Sequence, residues 1–552
     1  MRMKKIVLVF LAALAASLPL FAGGKQASGS GRSIAVTPPG QLPIVTEPYT
    51  AHVVVQRYGQ VEDYVNNSYT KNIEANTGIK LNLEIYPQGG EGNQKLEVLV
   101  ASGGKLPDAF MGGDIFGQNA QINVYRHAQD GAFIELDELI NKYAPNMLGM
   151  MSKVNNKNFM NMLRGPDGHI YALPRYNEQT SNEYSLRAMI NKKWLDNVGL
   201  GVPKTTEELY TVLKAFKEKD PNRNGKPDEI GVMGGGGWHQ FAADFLLNAF
   251  IYTDGETRWN ITNGKLDIPY NKEEWREGLR YINRLVKEGL FDSLSFTQDQ
   301  ASFKSIATAG DTNNVGVLVL PGMGQVFAAS QSDRKGEYVP LDPLVGPKGV
   351  NWAARYPINP APGAVITRDA QYPEIIMRMC DYMMSEQMSV FSRFGEPVVD
   401  WIEPPAGSVA LGASWGAAPV IKPILIWGGA SQKSHWGDQG PHILLQKYTD
   451  GQAWNGDPTD AEYMISTCVP GLLNKEPKEF ATLILYNADE AAQIADIQTT
   501  LNAYVKESLA RFSIGDLSLD RDWDSYLREL NNIGLPKFLQ ISQKAYDRMM
   551  GK

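Results

Sequence analysis

Residues 189–230 read MINKKWLDNVGLGVPKTTEELYTVLKAFKEKDPNRNGKPDEI, and the end of this stretch organises the rest. In its last part, Asp220, Asn222 and Asn224 stand at alternate positions, Gly225 can take a sharp bend, and Lys226 can offer its carbonyl. Oxygen donors at relative positions 1, 3, 5 and 7 around a glycine at 6 are the pattern of an EF-hand loop. Position 12 would be Gly231 and not a bidentate Glu, so Asp228 and Glu229 are expected to close a shortened shell, with no second EF-hand helix. All-oxygen donors, two of them neutral amides, suit Ca2+, whereas zinc would ask for His or Cys. Carboxylates held about 4 Å apart repel by roughly 1–4 kcal/mol per pair, so the folded loop is strained without an ion. Asn, Asp and Gly also cluster in ordinary turns, and a metal-free turn is the alternative.

The loop follows an amphipathic helix. Thr205 and Glu208 form a capping-box pair, and Leu209, Val212, Leu213 and Phe216 fall on one stripe. An ion at the exit of a packed helix acts as a structural staple.

Upstream, Val53-Val54-Val55 reads as a strand buried on both faces, followed by a helix over 64–76 ended by Gly78, a strand over 79–85 and a helix over 96–101. This alternation argues for α/β layers with ligands bound beyond the carboxyl ends of the strands, near Gly112, Gly113 and Asp114. Downstream, strands are expected at 315–321 and 363–367, the latter re-entering the first unit, and a single Met-rich helix over 375–391. The C-terminal region is helical, with stripes Ile494, Ile497, Leu501, Tyr504 and Trp523, Leu527, Leu530, Ile533.

With 552 residues the chain can hold two or three domains. Its formal charge of −8 with 10% aromatic residues argues against nucleic-acid or anionic-membrane binding. Residues 1–22 have the form of a signal peptide: Arg2, Lys4 and Lys5 precede an apolar run to Leu18, with small residues at Ala22-Gly23. No Cys follows that run, so lipid attachment is not expected and the mature protein should be soluble in a periplasm. Residues 23–47 read as a flexible lead-in. Cys380 and Cys468 allow either one bridge or two buried thiols, and their apolar neighbours favour thiols.

The stretches KLPDAF, HIYALP and residues 189–230, together with the C-terminal WDSYLRELNNIGLPKFLQISQKAYDRM, resemble family 1 extracellular solute-binding proteins of ABC importers, in particular long members with a calcium loop such as alginate-oligosaccharide binders. The resemblance implies an α/β, two-lobed periplasmic-binding-protein fold (class II, venus-flytrap), each lobe a mixed sheet flanked by helices. The expected division is 48–181 plus 363–399 for one lobe, and 182–362 plus 400–552 for the other. It also implies a monomer that closes on a ligand and delivers it to membrane permease subunits. By position, the calcium ligands are Asp220, Asn222, Asn224, Lys226 (carbonyl), Asp228 and Glu229.

A sugar needs flat aromatic faces and fixed polar partners. Loops supply Tyr176, Trp238, Trp352, Trp415, Trp427 and Trp436, with Asp114, Gln179, His239, Arg355 and Glu396 as polar partners; Arg175 and Arg355 are the forks for an acidic sugar. Five of the eleven Trp lie between 395 and 470, among Gly and Pro. The competing class is a secreted glycan hydrolase or lyase using two cleft carboxylates. No GxSxG, HExxH or phosphate-loop motif accompanies it, and Gly234–Gly237 lacks the Lys-Ser/Thr of a P-loop. Capture of an intact oligosaccharide, without catalysis, is the reading the sequence favours.

Overall fold

The computed structural model describes residues 34–552 except 118, 157, 426–430, 482 and 552. The signal-peptide segment, most of the lead-in and Trp427 lie outside the described residues.

The β-branched run near the start does what its composition dictates. In the strand Tyr49–Gln56, Val53 and Val55 pack into one core and Val54 into another, all three fully buried. Tyr49–Gln56 pairs in parallel with Ile79–Tyr86 on one side and Ala109–Met111 on the other. Ala361–Ile366 then runs antiparallel to both Ala109–Met111 and Leu173–Asn177. The expected return to the first sheet near 363 is therefore seen, and it makes the sheet mixed.

This six-stranded sheet ends in a strand that local pattern assigns elsewhere. His442–Leu444 pairs in parallel with Leu173–Asn177, so part of the 400–552 range, expected to lie wholly in the second lobe, joins the first sheet. Three residues are too short a run for periodicity to register.

The second sheet has the order Tyr338–Leu341, Ala188–Asn191, Val315–Val319, Ile230–Met233. Ala188 and Ile190 face a core shared with the helices Ala488–Ile514, Trp523–Ile533 and Leu535–Met549, while Met189 faces a smaller core on the opposite side. The helix Thr206–Glu218 packs on this unit through Leu209, Val212, Leu213 and Phe216, all buried. Thr205 caps it as expected, accepting from Glu208 N at 3.1 Å, but Glu208 reaches back to Lys204 N at 2.7 Å and not to Thr205.

The Met-rich stretch is two helices, Pro373–Met383 and Glu386–Phe394, because Ser385 leaves the helix and caps the second one. Cys380 and Cys468 are both buried free thiols. Among the described residues, no helix is long and apolar enough to cross a membrane.

The chain passes between the two sheets more than once, and the crossings are tied together. Tyr356 N donates to Glu183 O at 2.7 Å, and Arg355 pairs with Glu183 and with Glu476 at 2.8 and 2.9 Å.

Candidate functional site

The Asp220 loop folds around the bend that Gly225 was expected to supply, with Asp220, Arg223 and Gly225 all at positive φ (45°, 56° and 73°). Asp220 Oδ1 and Oδ2 accept from Asn224 N and Gly225 N at 3.1 and 3.0 Å, a nest that fixes the loop's concavity. Across it, Asn222 and Asn224 turn their amide nitrogens to the Asp228 carboxylate, at distances of 3.0–3.2 Å. Glu229 Oε1 is buried with no hydrogen-bond partner. Burial, then the negative charges of Asp220 and Asp228, push the Glu229 carboxyl above its usual range. An orphaned carboxylate oxygen on a group that feels the charges of two further acids fits a hard cation, which would offset that repulsion; rotating the two amides would present oxygens instead of nitrogens.

Among the described residues, the one group of three acid or His side chains whose ligand atoms lie within 4.8 Å of one another is elsewhere: Glu135, Asp137 and His169. Its members are already partnered, since Asp137 holds Arg164 at 2.7 Å and Ile170 N at 2.8 Å, and His169 Nδ1 lies 2.8 Å from Glu135.

The carboxyl edge of the first sheet gathers Gly112–Asp114, Arg175, Asn177 and the 435–442 loop. Gln56 Oε1 accepts from Asp114 N at 2.8 Å, and Gln439 Oε1 accepts from Gly113 N at 3.3 Å. The buried Asp438 receives Asn177 Nδ2 at 3.0 Å and Arg393 at 3.1 Å. Burial raises the Asp438 carboxyl, but the charges of Arg393, His442 and Arg175 outweigh that and hold it below its usual range.

The corresponding edge of the second sheet carries the glycine segment after Ile230–Met233. Gln240 lies beneath it, donating to Gln325 at 2.8 Å and bonding Gln300. Trp238 is 50% exposed, an aromatic face offered to solvent. His239 beside it is buried, at φ 49°, stacked on Tyr356 with ring centroids 3.7 Å apart, bonded to Ser185 and 3.2 Å from Glu256. His239 thus props up Trp238 and does not itself present a free ring.

Several expected contact residues are occupied otherwise. Trp436 is 1% exposed, packed between Tyr64 and Tyr69, with its indole N–H on Thr70 Oγ1 at 2.8 Å, so it is core and not a sugar platform. Tyr176 is buried edge-on to Phe159 and donates to Glu178 at 3.1 Å. Arg355 is spent on Glu183 and Glu476, beside a cavity of about 480 Å³ that Tyr176 and Gln179 also line. Trp352 sits edge-on to Tyr252, and Trp415 donates to Asp450 at 2.9 Å beside an adjoining cavity of about 470 Å³ that shares Asn155, Glu178 and Gln446 with the first. Glu396 is partly buried and its backbone N–H donates to Asp400 at 2.7 Å. The structure brings Trp238 and His239 together on one edge and leaves Trp352, Trp415 and Glu396 apart from it. The polar residues that sequence reasoning missed, Gln240, Gln300, Gln325, Asp438 and Gln439, carry no motif; only their place at the strand ends reveals them.

Two α/β units, each opening at the ends of its strands and joined by tied crossings, make a two-lobed solute receptor. Residues 59–389, more than half the chain, match the bacterial extracellular solute-binding protein family, and the chain belongs to it. It is 28% identical over 86% of both chains to the fructooligosaccharide ABC transporter substrate-binding protein FusA of Streptococcus pneumoniae serotype 4 (strain ATCC BAA-334 / TIGR4). The structure of FusA in complex with kestose overlays 91% of this chain and 99% of its own, with a TM-score of 0.71 at 25% identity. The polygalacturonan/rhamnogalacturonan-binding protein YtcQ of Bacillus subtilis (strain 168) is 31% identical over 42% of this chain and 44% of its own. The fold is also that of the alginate-binding protein AlgQ2 solved without calcium ion, with a TM-score of 0.62 at 22% identity, covering 91% and 99%.

Proposed function

We propose that this chain is the extracytoplasmic receptor of an ABC importer, capturing an oligosaccharide between its lobes and releasing it intact to membrane permease subunits. The observation that carries the reading is the likeness to FusA over 86% of both chains. The geometry supports it through an exposed indole on one strand edge and fixed amide and carboxylate groups on the other, which is what a ring with apolar faces and a polar rim requires.

In this reading the first lobe comprises residues 48–181 and 363–399 with the strand His442–Leu444 added, and the remainder of the mature chain forms the second. Closure is a rotation about the tied crossings at Glu183 and Arg355, with ligand contacts offsetting the cost of bringing the lobes together. Ca2+, held by Asp220, Asn222, Asn224, the Lys226 carbonyl, Asp228 and Glu229, is structural: it rigidifies the exit of the Thr206–Glu218 helix and stands apart from the strand edges. The protein acts as a soluble monomer outside the cytoplasmic membrane and performs no chemistry on its ligand.

Small-angle scattering with and without fructo-oligosaccharide and uronic oligosaccharide panels tests this reading. Capture by closure lowers the radius of gyration with a bound sugar. An unchanged radius across both panels, with no change in melting temperature, would count against it.

A further inference from the structure

The carboxyl edge of the first sheet holds a cation whose hydrogen-bonding capacity the protein leaves unspent. Arg175 is partly buried in the strand Leu173–Asn177, opposite Ala361 on one side and His442 on the other. Among the described arginines that are not exposed, it alone makes neither a hydrogen bond nor an ion pair. Its counterparts are all committed: Arg355 to Glu183 and Glu476, Arg393 to Asp438, Arg258 to Asp244, and Arg187 to backbone carbonyls. A guanidinium presents five N–H donors in a rigid planar fork, and those of Arg175 are not among the buried atoms, so they stay open to solvent or to a ligand.

Among the described residues no acid makes a direct ion pair with Arg175. Asp438 feels the field of Arg175 but is directly paired with Arg393. Burial pushes His435 down to about 4 and also lowers His442, and burial raises the Tyr58 hydroxyl. Asp114, exposed on the adjoining turn, makes no ion pair with Arg175. Arg175 and Arg393 thus lie in the field of one carboxylate, Asp438, whose Oδ2 takes the bonds of Asn177 and Arg393 while its Oδ1 has no hydrogen-bond partner.

The backbone around Arg175 is shaped to the guanidinium. A Cβ at Gly113 would lie 2.6 Å from Arg175 Cζ, and one at Gly363 would lie 2.9 Å from Arg175 Cβ. Glycine at 113 lets the backbone lie against the guanidinium, and glycine at 363 lets the neighbouring strand close on the Arg175 backbone and Cβ.

We propose that Arg175 is a carboxylate-binding subsite and that the oligosaccharide captured carries uronic-acid units. This rests on the carbohydrate-receptor reading above and specifies its ligand class. A carboxylate takes two parallel N–H donors from the fork, whereas a neutral sugar hydroxyl takes one weaker bond, so the pairing discriminates acid from neutral ligands.

The test is calorimetric titration of the mature full chain, Arg175→Gln and Arg175→Lys with trigalacturonate, its methyl ester and kestose. Trigalacturonate is expected to bind the parent chain, with esterification and Arg175→Gln each weakening it about tenfold or more and the two losses not adding. Arg175→Lys, a point charge without the fork, should fall between. Equal affinity for the acid and its ester, or no change on Arg175→Gln, overturns the subsite. Binding of kestose alone overturns it while leaving carbohydrate capture standing, whereas a folded chain that binds none of the three overturns both. Should Arg175→Gln fail to melt cooperatively, the comparison of acid with ester on the parent chain decides.

Discussion

Asn224 Nδ2 donates to both oxygens of Asp228, at 3.0 and 3.1 Å, so the loop closes on itself through an amide that calcium binding would turn around. Millimolar calcium should therefore raise the melting temperature, by roughly 5–10 °C at a hundredfold excess over Kd, and a chelator should reverse it. Glu229→Gln should abolish the shift without lowering the metal-free melting temperature, because the Glu229 carboxyl is crowded by burial and by Asp220 and Asp228. Scanning calorimetry reads both; a melt indifferent to calcium and chelator removes the metal from the account.

Trp238 and Trp436 should separate cleanly. Trp238→Ala removes an exposed face and is expected to leave stability unchanged while weakening sugar binding about tenfold, near 1.4 kcal/mol. Trp436→Ala empties a core site between Tyr64 and Tyr69 and should cost about 3–5 kcal/mol in urea unfolding. Reversed effects would return Trp436 to the cleft and Trp238 to the scaffold.

These two residues also show what local sequence can and cannot convey. The valine run, the Thr205 cap, the Gly225 bend and the stripe on Thr206–Glu218 are set by contacts within a few residues, and each stands in the structure as read. Trp436 is packed against Tyr64 and Tyr69 and bonded to Thr70, which is 366 positions away, and Arg355 is consumed by Glu183, 172 positions away. Aromatic residues among Gly and Pro look like surface loops until such distant partners are known. The three-residue strand His442–Leu444 is hidden for a related reason: it is specified by Leu173–Asn177 and not by its own pattern.

His435 gives the fold a measurable acid sensitivity. Burial lowers it from 6.5 to about 4, and its Nδ1 accepts from Gly437 N at 3.0 Å. The unfolded chain binds the proton first, so stability is complete above about pH 6.5 and falls as pH drops towards about 4. The slope from this group reaches at most about 1.4 kcal/mol per pH unit. Urea midpoints between pH 7 and 4.5 should show it, and His435→Gln should flatten that part of the profile; an unchanged slope in the variant contradicts the assignment.

A break in the tied crossings should alter opening before it alters the sheets. Glu183→Gln removes the charge that Arg355 meets at 2.8 Å, and burial already raises the Glu183 carboxyl. The expected outcome is faster ligand release in stopped-flow fluorescence with far-ultraviolet dichroism unchanged. Release at the parental rate would place the hinge elsewhere.

The central claim, reversible holding of an unaltered oligosaccharide, is tested most directly by native mass spectrometry after prolonged incubation with oligogalacturonate and fructo-oligosaccharide. The account predicts a one-to-one complex whose sugar, once released, has the mass it had when added. A shortened or unsaturated product, or a folded protein that carries no sugar from either set, would contradict it.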